Sequence, residues 1–494
     1  MSIDLNDIEV ATRENRLGSI TGYSGTVIDL VAKASDCSLS NKIRCFSQAS
    51  SCNSGCAQNY LIEIQDALIV NHAPVGCSAD EIASNNLNKW SEKARGWAGW
   101  QPRNIAFFNT NMTKEDTVFG ATGKLKETIR EAYLRYKPNA IFVTTSCVNG
   151  IIGEDIKSAL DDLKDEIPVP LAPVSCEGFK TRVWASGFDA AFHSILTSIV
   201  KPPRFKTNKV NIFNFHASAR VEITEILARL DLAPVFMVAQ CTIEELSRMS
   251  EAVATLAICG SLSTYIENAL QEVYGVPIVK GLHPQGISGV QGWLRGLGKI
   301  VGKEAEVEAY LQEMEEKHRP EIQEIRAKLQ GRTAVLGMGP GFAHDYVRVL
   351  SNELGMKVLS ATAWHFDQKY DDGNIPDATR FLHENQIESD TQISVGDLQG
   401  FEIMNILNTL KPDIYLSRHG GTAGWAVKLG IASIMITDEY DVFGYLGTIK
   451  LGYRILDALT NRSVERNLAK RLELPYTDWW LEQNSFKALG EELE

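Results

Sequence analysis

A strand-like apolar run, a turn and a helical segment follow one another repeatedly along this chain. The run 140–144 leads through Ser146 and Cys147 into a helix that we expect to begin near Ile151. The same succession starts again at KVNIFNFHA, at ATLAICGSL and at TAVLGMGPG. Strands that alternate with helices in this way predict an α/β fold with parallel sheets, in which ligands bind at the carboxyl ends of the strands.

This succession divides the chain into four parts. They are an N-terminal arm and three Rossmann-like domains, over 1–40, 41–205, 206–330 and 331–494. The spacing of apolar residues predicts an amphipathic helix over 61–67 in front of a strand at 68–70. The charged stretch 304–329 is predicted to be a solvated helix, and a long amphipathic helix is predicted over 449–472.

The charge balance excludes some classes of protein. Of 494 residues, 62 are acidic and 49 are basic, and the net charge of −13 argues against a nucleic-acid surface. Apolar runs are short and interrupted, so we expect neither a membrane span nor a signal peptide. Nine cysteines are too few for a disulfide scaffold in so long a chain, and we expect a cytoplasmic protein with reduced thiols.

Several cysteines stand where a strand or a turn ends. Cys52, Cys77 and Cys147 each adjoin a turn glycine or a strand end. Iron–sulfur clusters need thiolates that converge from separate loops, but a free cysteine also commonly packs as a small buried hydrophobe. Spacing alone leaves both interpretations open for these three residues. For three other cysteines, Cys37, Cys176 and Cys241, we predict the buried, hydrophobic role.

A glycine-rich turn follows the strand predicted at TAVLGM. Gly337, Gly339 and Gly341 resemble the start of a nucleotide-binding GxGxxG turn. Phe342 stands where the last glycine would fall, and no acidic residue follows at the required distance. The turn is therefore a weak indication of nucleotide binding, and we do not expect the chain to hydrolyse ATP.

Five motifs occur together and in order: HAPVGC at 72–77, SCVNGIIGEDI at 146–156, PVSCEGF at 173–179, LAICGSLSTYI at 256–266 and ELGMKVLSATAWHF at 353–366. With them the chain resembles the catalytic component of nitrogenase, specifically its α subunit, over most of residues 45–460. The resemblance implies three Rossmann-like domains around a central metallocluster cavity, in an α2β2 heterotetramer with a homologous β (K-type) subunit. It also implies electron delivery by an ATP-hydrolysing reductase, an H-type dimer with a 4Fe-4S cluster.

The resemblance further implies two metal centres. Cys77, Cys147 and a third cysteine would hold half of an 8Fe-7S P-cluster that is shared with the β subunit. Overall spacing assigns the third position to Cys52, which we prefer, although the sequence around Cys56 matches the family better. Cys259 would bind one end of a nitrogenase-type iron–sulfur active-site cluster, whose heterometal and organic acid the sequence does not specify.

Departures from the nitrogenase pattern fall around the active-site cluster. The loop IASIMITDEYDVFGYLG lacks the histidine that is the family's second cofactor ligand. Arg418 and His419 replace a lysine that contacts the organic acid, and Trp184 and Phe188 stand where nitrogenases have polar donors. The resemblance therefore implies a pocket that has lost polar donors and gained aromatic surface.

Histidines and further aromatic residues complete the predicted pocket. His216, His365 and His419 fall near cofactor-facing segments. A single histidine at a strand end is usually structural, but a neutral imidazole also binds iron, and His365 and His419 are our first choices for this role. Trp364 and Phe366 suggest selection of a small apolar molecule, although aromatic residues there could also fill the core.

The altered pocket is similar to that of methylthio-alkane reductase, a nitrogenase-like enzyme of methionine salvage. We therefore expect reductive cleavage of the carbon–sulfur bond of a small thioether substrate, with release of methanethiol. A cofactor-assembly scaffold of the nitrogenase family is an alternative, because loss of the second ligand suits the release of a cluster. A dinitrogen reductase with an unusual pocket is a third interpretation.

Overall fold

The structure, a computed structural model, divides by its contacts into two compact units. It describes residues 3–7, 9–40, 52–78, 107–214, 220–238, 240–387, 391–396, 400–418, 420–436, 442–474 and 476–483. The first unit consists of residues 1–16, 51–257 and 262–278, and the second of residues 17–50, 258–261 and 279–494. Residues 279–330, which the sequence predicts as part of the middle domain, fall in the second unit.

Strands and helices alternate along the described chain. The strands are β1 Tyr23–Gly25, β2 Ala67–His72, β3 Phe107–Asn109, β4 Ala140–Thr145, β5 Leu171–Val174, β6 Lys209–Asn214, β7 Ala233–Val238, β8 Ala254–Ala257, β9 Thr333–Met338, β10 Lys357–Ala363, β11 Gln392–Val395, β12 Ile414–Ser417 and β13 Ala432–Met435. The helices are α1 Arg13–Leu17, α2 Val27–Ser35, α3 Asn53–Leu61, α4 Asp116–Phe119, α5 Thr122–Tyr136, α6 Cys147–Ile152, α7 Ile156–Asp161, α8 Ser186–Ser198, α9 Arg220–Ala228, α10 Ile243–Ser247, α11 Gly260–Tyr274, α12 Gly286–Val301, α13 Glu304–Leu329, α14 Pro340–Arg348, α15 Asp377–Glu384, α16 Gly400–Leu410, α17 Gly420–Lys428, α18 Gly444–Thr460, α19 Ser463–Ala469 and α20 Asp478–Leu481.

The first unit holds two parallel sheets. One has the order β3-β2-β4-β5, and the other has the order β7-β6-β8. Every residue of β2 and β4 is buried, which suits strands that are covered on both faces. Helix α5 turns Leu125, Ile129 and Ala132, spaced by about one turn, into the core beside these strands.

The second unit holds one sheet with the order β1-β11-β10-β9-β12-β13. Its strands are parallel except β1, which pairs antiparallel with β11. Part of the predicted N-terminal arm is therefore an edge strand of this sheet. The predicted α/β architecture with parallel sheets is confirmed.

The charged stretch 304–329 is helical over the predicted range, as α13. Its buried residues recur at spacings of three or four, and they are Val307, Leu311, Met314, His318, Ile322, Ile325 and Leu329. This stripe packs against α12 and α18 within the second unit. One face of the helix is thus core, whereas the prediction described it as solvated.

Three predicted helices differ in their bounds. The prediction of a helix over 61–67 is wrong, because α3 ends at Leu61. The chain then turns, and the backbone N–H of Gln65 donates to the Cys241 carbonyl. The helix expected near Ile151 begins at Cys147, since Ser146 and Asn149 form a capping box there. The segment predicted as one helix over 449–472 is two, α18 and α19.

The sequence predicts no membrane-spanning segment. In the part of the chain that the structure describes, none of the helices has the length and apolar character needed to cross a membrane.

Candidate metal centres

Two of the predicted cluster cysteines follow neighbouring strands of the first sheet. β2 and β4 run parallel, with His72 opposite Thr145 at their carboxyl ends. Cys77 lies in a 3-10 turn five residues after β2, and Cys147 is the first residue of α6, directly after β4. Both thiols therefore lie at the edge of the sheet where open α/β folds bind ligands. Cys77 is exposed and Cys147 is partly exposed.

Cys52 approaches Cys147 from a third segment. It is the N-cap residue of α3 and is exposed. A Cβ atom on Gly178 would lie 3.4 Å from Cys147 Sγ and 3.6 Å from Cys52 Sγ, so both sulfurs border the same space. Gly178 follows β5, the strand next to β4, and contributes no side chain to this space.

Cys56, the alternative to Cys52, has a different environment. It is 3% exposed and packs against Gly187 of α8, where an added Cβ would lie 2.8 Å from Cys56 Cβ. Burial raises the pKa of its thiol well above the usual range, although the Arg13 guanidinium acts in the opposite direction. Cys52, whose sulfur borders the same space as that of Cys147, stays the predicted third ligand.

The second centre is built around Cys259 in the second unit. Cys259 lies between β8 and α11 and is 2% exposed. A Cβ atom on Gly341, in the first turn of α14, would lie 2.7 Å from Cys259 Sγ and 3.2 Å from Ser261 Oγ. The sulfur thus occupies the space that a side chain at Gly341 would fill. It lies near the N-termini of α11 and α14, whose dipoles favour a negative charge.

Polar residues surround the start of α11. Tyr370 Oη and His283 Cε1 both border Gly260, and Gln285 Nε2 donates to the Ile258 carbonyl at 2.6 Å. Burial raises the pKa of Tyr370 and lowers that of His283. Burial therefore opposes a charge on either side chain.

The predicted pocket residues have varied surroundings. In the first unit, Phe188 packs edge-on against Trp184 and Tyr60, with ring centroids 5.3 and 5.4 Å apart. In the second unit, Trp364 is fully buried in a core cluster with Val335 and Tyr415. The core-filling interpretation therefore holds for Trp364.

Histidines of the predicted pocket are only partly described. His365 is 1% exposed, and its Nε2 lies 3.7 Å from Asp367 Oδ1. Phe366 is buried beside His344, with ring centroids 5.9 Å apart. His216 and His419 lie outside the described residues. Convergence of these residues on one cavity stays a prediction.

No compact site for a single metal ion accompanies these cysteines. Within the described ranges, no group of three or more His, Cys, Asp or Glu side chains could hold a metal ion. The residues fit larger groups instead, because a multi-iron cluster takes thiolates from separated loops. Two observations support this fit: Cys147 Sγ and Cys52 Sγ both lie beside Gly178, which has no side chain, and the buried Cys259 Sγ lies beside Gly341.

Comparison with known proteins identifies the family. A family model described as nitrogenase component 1 type oxidoreductase matches residues 52–460. The chain belongs to this family. A solved structure, nitrogenase Cp1 at pH 5, has the same fold, with a TM-score of 0.70 and 21% identity over 89% of this chain and 92% of that chain.

Curated relatives of this nitrogenase-family chain include two kinds of subunit. The molybdenum-iron protein alpha chain of Methanothermobacter marburgensis is 28% identical over 402 residues, covering 78% of this chain and 81% of that protein. The cofactor biosynthesis protein NifE of Methanococcus maripaludis is 25% identical over 378 residues, or 74% of each chain. The family is thus established, and both catalytic and cofactor-biosynthesis subunits resemble this chain.

Several residues beside the candidate ligands have no clear signal in the sequence. Gly341 stands in a turn that resembles a nucleotide-binding motif, and Gly178, His283 and Tyr370 belong to no pattern that predicts a metal centre. The one signal for Gly341 is that its turn has glycines after a strand but lacks the GxGxxG spacing. Its nearest side chain is a cysteine distant in sequence, which no local pattern reveals.

Proposed function

We propose that this chain is the catalytic α-type subunit of a nitrogenase-like reductase that cleaves the carbon–sulfur bond of small methylthio-alkanes and releases methanethiol. The observation that carries the proposal is the Cys259 thiol, which is buried just after β8 and lies so close to Gly341 that a side chain there would meet the sulfur. A buried thiol between a strand end and the first turns of two helices suits an active-site cluster. The exposed thiols at the edge of the first sheet suit a second cluster at a subunit boundary.

The first centre would be the P-cluster, held by Cys52, Cys77 and Cys147. When bound, it supplies electrons to the active site. Cys52 and Cys147 lie at the starts of α3 and α6, where the helix dipoles favour the negative charge of thiolates. The chain would supply cysteine ligands from three separate segments. Because these thiols are exposed or partly exposed, a partner subunit could approach them and supply the remaining ligands of the cluster.

Apolar residues on the same unit support a partner subunit. Four large apolar side chains in or near the segments that carry the cysteines are exposed: Val75, Phe119, Ile151 and Phe179. Phe119 is 87% exposed, and its helix α4 packs beside α6. Exposed apolar patches of this kind mark interaction sites. They support the β (K-type) subunit of an α2β2 heterotetramer and the docking of an ATP-hydrolysing iron protein.

The second centre would be the active-site cluster, held at one end by Cys259. When bound, the cluster supplies the electrons and the bond-breaking chemistry. The chain's own part is to present one thiolate, to keep water away by burial and to place Tyr370 and His283 beside the start of α11. The absence of a histidine in the loop after β13 and the aromatic pair Trp184 and Phe188 support a small apolar thioether rather than dinitrogen.

The experiment is anaerobic purification of the chain with its β-type partner, followed by an assay with the iron protein and ATP. Dimethyl sulfide and methylthio-ethanol are the substrates, and methanethiol in the headspace is the readout. Release that depends on both ATP and Cys259 is expected. Ammonia formation under dinitrogen, without methanethiol release, would instead establish a dinitrogen reductase.

A cofactor-assembly scaffold is the second candidate, favoured by the similarity to NifE over 74% of each chain. A scaffold releases its cluster to another protein, whereas an enzyme retains it. Incubation with an apo-form nitrogenase component therefore separates the two. Activation of the apo-protein, with no methanethiol release from any thioether, would replace the reductase proposal.

A further inference from the structure

The carboxylate of Glu154 accepts hydrogen bonds from both of the segments that carry Cys77 and Cys147. The side chain of Glu154 is 6% exposed, and its Oε2 accepts hydrogen bonds from His72 Nε2 at 2.9 Å and Asn149 Nδ2 at 2.8 Å. Its Oε1 accepts from the backbone N–H of Ala121. Three donors from three segments thus converge on this single side chain.

Two of the three donors belong to segments beside the cysteines. His72 is the last residue of β2, five residues before Cys77. Asn149 follows Cys147 by two residues, and its Oδ1 accepts from both the backbone N–H and the hydroxyl of Ser146 at 2.8 Å. The Glu154 carboxylate therefore holds the loop after β2 and the loop after β4, which belong to adjacent parallel strands.

The hydrogen bonds are compatible with a neutral His72. Thr110 Oγ1 accepts from the backbone N–H of Ala73 at 3.1 Å and lies 3.0 Å from His72 Nδ1, to which its hydroxyl can donate. His72 then carries its proton on Nε2 and donates it to Glu154. Burial lowers the pKa of His72, in agreement with a neutral ring.

The network therefore contains a negative charge on Glu154. Ala121 precedes α5, so the positive end of this helix faces the carboxylate. The other charged groups that act on His72 are Asp116 and Lys124, which form an ion pair with each other at 2.5 Å. These two charges offset one another, and the charge of Glu154 remains.

We infer that Glu154 is a positioning residue for the P-cluster, which fixes the loops of Cys77 and Cys147 relative to each other and holds the reduction potential of the cluster down. The inference rests on the proposed ligation by these cysteines. A fixed negative charge disfavours the addition of an electron to a nearby centre, because the reduced centre is more negative. Second-shell hydrogen bonds orient the loops that present the ligands.

The test uses the complete complex with its clusters, and the variant is Glu154→Gln. Glutamine keeps the shape of the side chain but removes its negative charge. Its amide NH2 group would also face N–H groups, which donate hydrogen bonds and do not accept them. An EPR-monitored redox titration measures the midpoint potential of the P-cluster, which is expected to become more positive. Glu154→Asp, which keeps the charge, is expected to restore a potential closer to that of the wild type.

A matched control comes from the same unit. Glu166 is half-exposed and pairs with Arg130 on the surface, at 2.6 Å. Glu166→Gln is expected to leave the potential unchanged. The signal of the active-site cluster serves as an internal reference in every sample, since Glu154 belongs to the other centre.

The outcomes separate this inference from the proposed function. A wild-type complex without a P-cluster signal, or a signal that survives Cys77→Ala, overturns the proposed ligation. A wild-type signal with an unchanged potential in Glu154→Gln overturns the role of Glu154. If Glu154→Gln does not fold, His72→Leu tests the inference instead, because it removes the hydrogen bond between Glu154 and the segment that leads to Cys77. An unchanged P-cluster line shape and potential in His72→Leu overturns the inference.

Discussion

Gly341 is the residue that most directly shapes the Cys259 centre. A methyl group there would lie 2.7 Å from Cys259 Sγ, so Gly341→Ala must displace the sulfur by roughly 1 Å. We expect the active-site cluster to be lost or misplaced and turnover to fall by about a hundredfold. Iron analysis and EPR of the purified complex provide the measurement.

Gly339 supplies the matched control for this change. It lies in the same turn with a φ of −62°, and an added Cβ would meet no atom within 4 Å. Gly339→Ala is expected to keep the cluster. Equal cluster content in both variants would contradict the proposed contact between Gly341 and the ligand.

Replacing Cys259 by alanine tests the assignment of the active-site ligand. We expect Cys259→Ala to lose the active-site cluster and its activity but to keep the P-cluster signal, because the two centres use different segments. Cys241, a buried cysteine whose thiol donates to the Val238 carbonyl at 2.9 Å, is the control. Retention of both clusters in Cys259→Ala would exclude this residue as the ligand.

The choice between Cys52 and Cys56 is tested by a pair of alanine variants. Cys52→Ala is expected to remove or strongly alter the P-cluster signal, because its sulfur borders the same space as that of Cys147. Cys56→Ala is expected to keep the signal and to cost only stability, because that thiol is buried against α8. The opposite pattern in EPR would assign Cys56.

At the residue scale, the sequence predicted the burial of the cysteines only in part. Cys176 and Cys241 are buried, as expected, but Cys37 is exposed, and the expectation for it is wrong. Its backbone has a φ of 50°, at the turn after α2. The burial of one cysteine depends on how the chain turns locally and on distant packing, and single-residue patterns report neither.

The contact between α3 and α8 is the element-scale feature that positions Cys52. A Cβ on Gly187 would overlap the Asn53 carbonyl and lie 2.8 Å from the backbone nitrogen of Ala57, so it would push the helices apart. We expect Gly187→Ala to lower the free energy of unfolding of this unit by about 1–3 kcal/mol. It should also weaken the P-cluster signal, because Cys52 caps α3.

Thermal unfolding of the variant complex measures this effect. Gly123 in α5 is the control, because an added Cβ there would meet no atom within 4 Å. Gly123→Ala is expected to keep or slightly raise the melting temperature, since alanine favours a helix. A similar loss of stability in both variants would show that the close approach of α3 and α8 is not responsible.

Elements with strong local signals were predictable. The strand predicted over 140–144 is β4, Ala140–Thr145, and the helix predicted over 304–329 is α13. The helix predicted over 61–67 failed because its apolar spacing reflects a buried turn, in which even Glu63 and Gln65 are covered. Periodicity reports burial, and burial in a turn resembles burial in a helix.

At the scale of the whole molecule, the exposed apolar residues near the cysteines predict an assembly. Ile151 in α6 is 73% exposed, and Ile151→Glu would place a charge in the proposed interface. Burying an unpaired charge costs several kcal/mol, so association should weaken by about a hundredfold or more. Light scattering after size-exclusion chromatography measures the loss of the heterotetramer.

Val221 provides the control for this prediction. It is 70% exposed on α9 of the same unit. Val221→Glu is expected to leave the assembly intact. If neither substitution changes the assembly, the surface around α6 does not contact the partner.

The family is recognisable from motifs, whereas the three-domain division stays a prediction. The described residues form three sheets, and the contacts of the chain divide into two compact units. Residues 258–261 belong to the second unit although their neighbours on both sides belong to the first. Contacts of so short a segment arise from tertiary packing, and composition does not reveal them.

The exposure of the sheet-edge thiols sets a condition on how the chain is made. Cys52 and Cys77 are exposed, and Cys147 is partly exposed. In air, accessible thiols proceed to sulfenic acids and disulfides, and then to sulfinic acids that cells do not generally repair. If these thiols bind the proposed shared cluster, a chain released before its partner arrives would lose those ligands. Synthesis alongside the partner at low oxygen would then protect them.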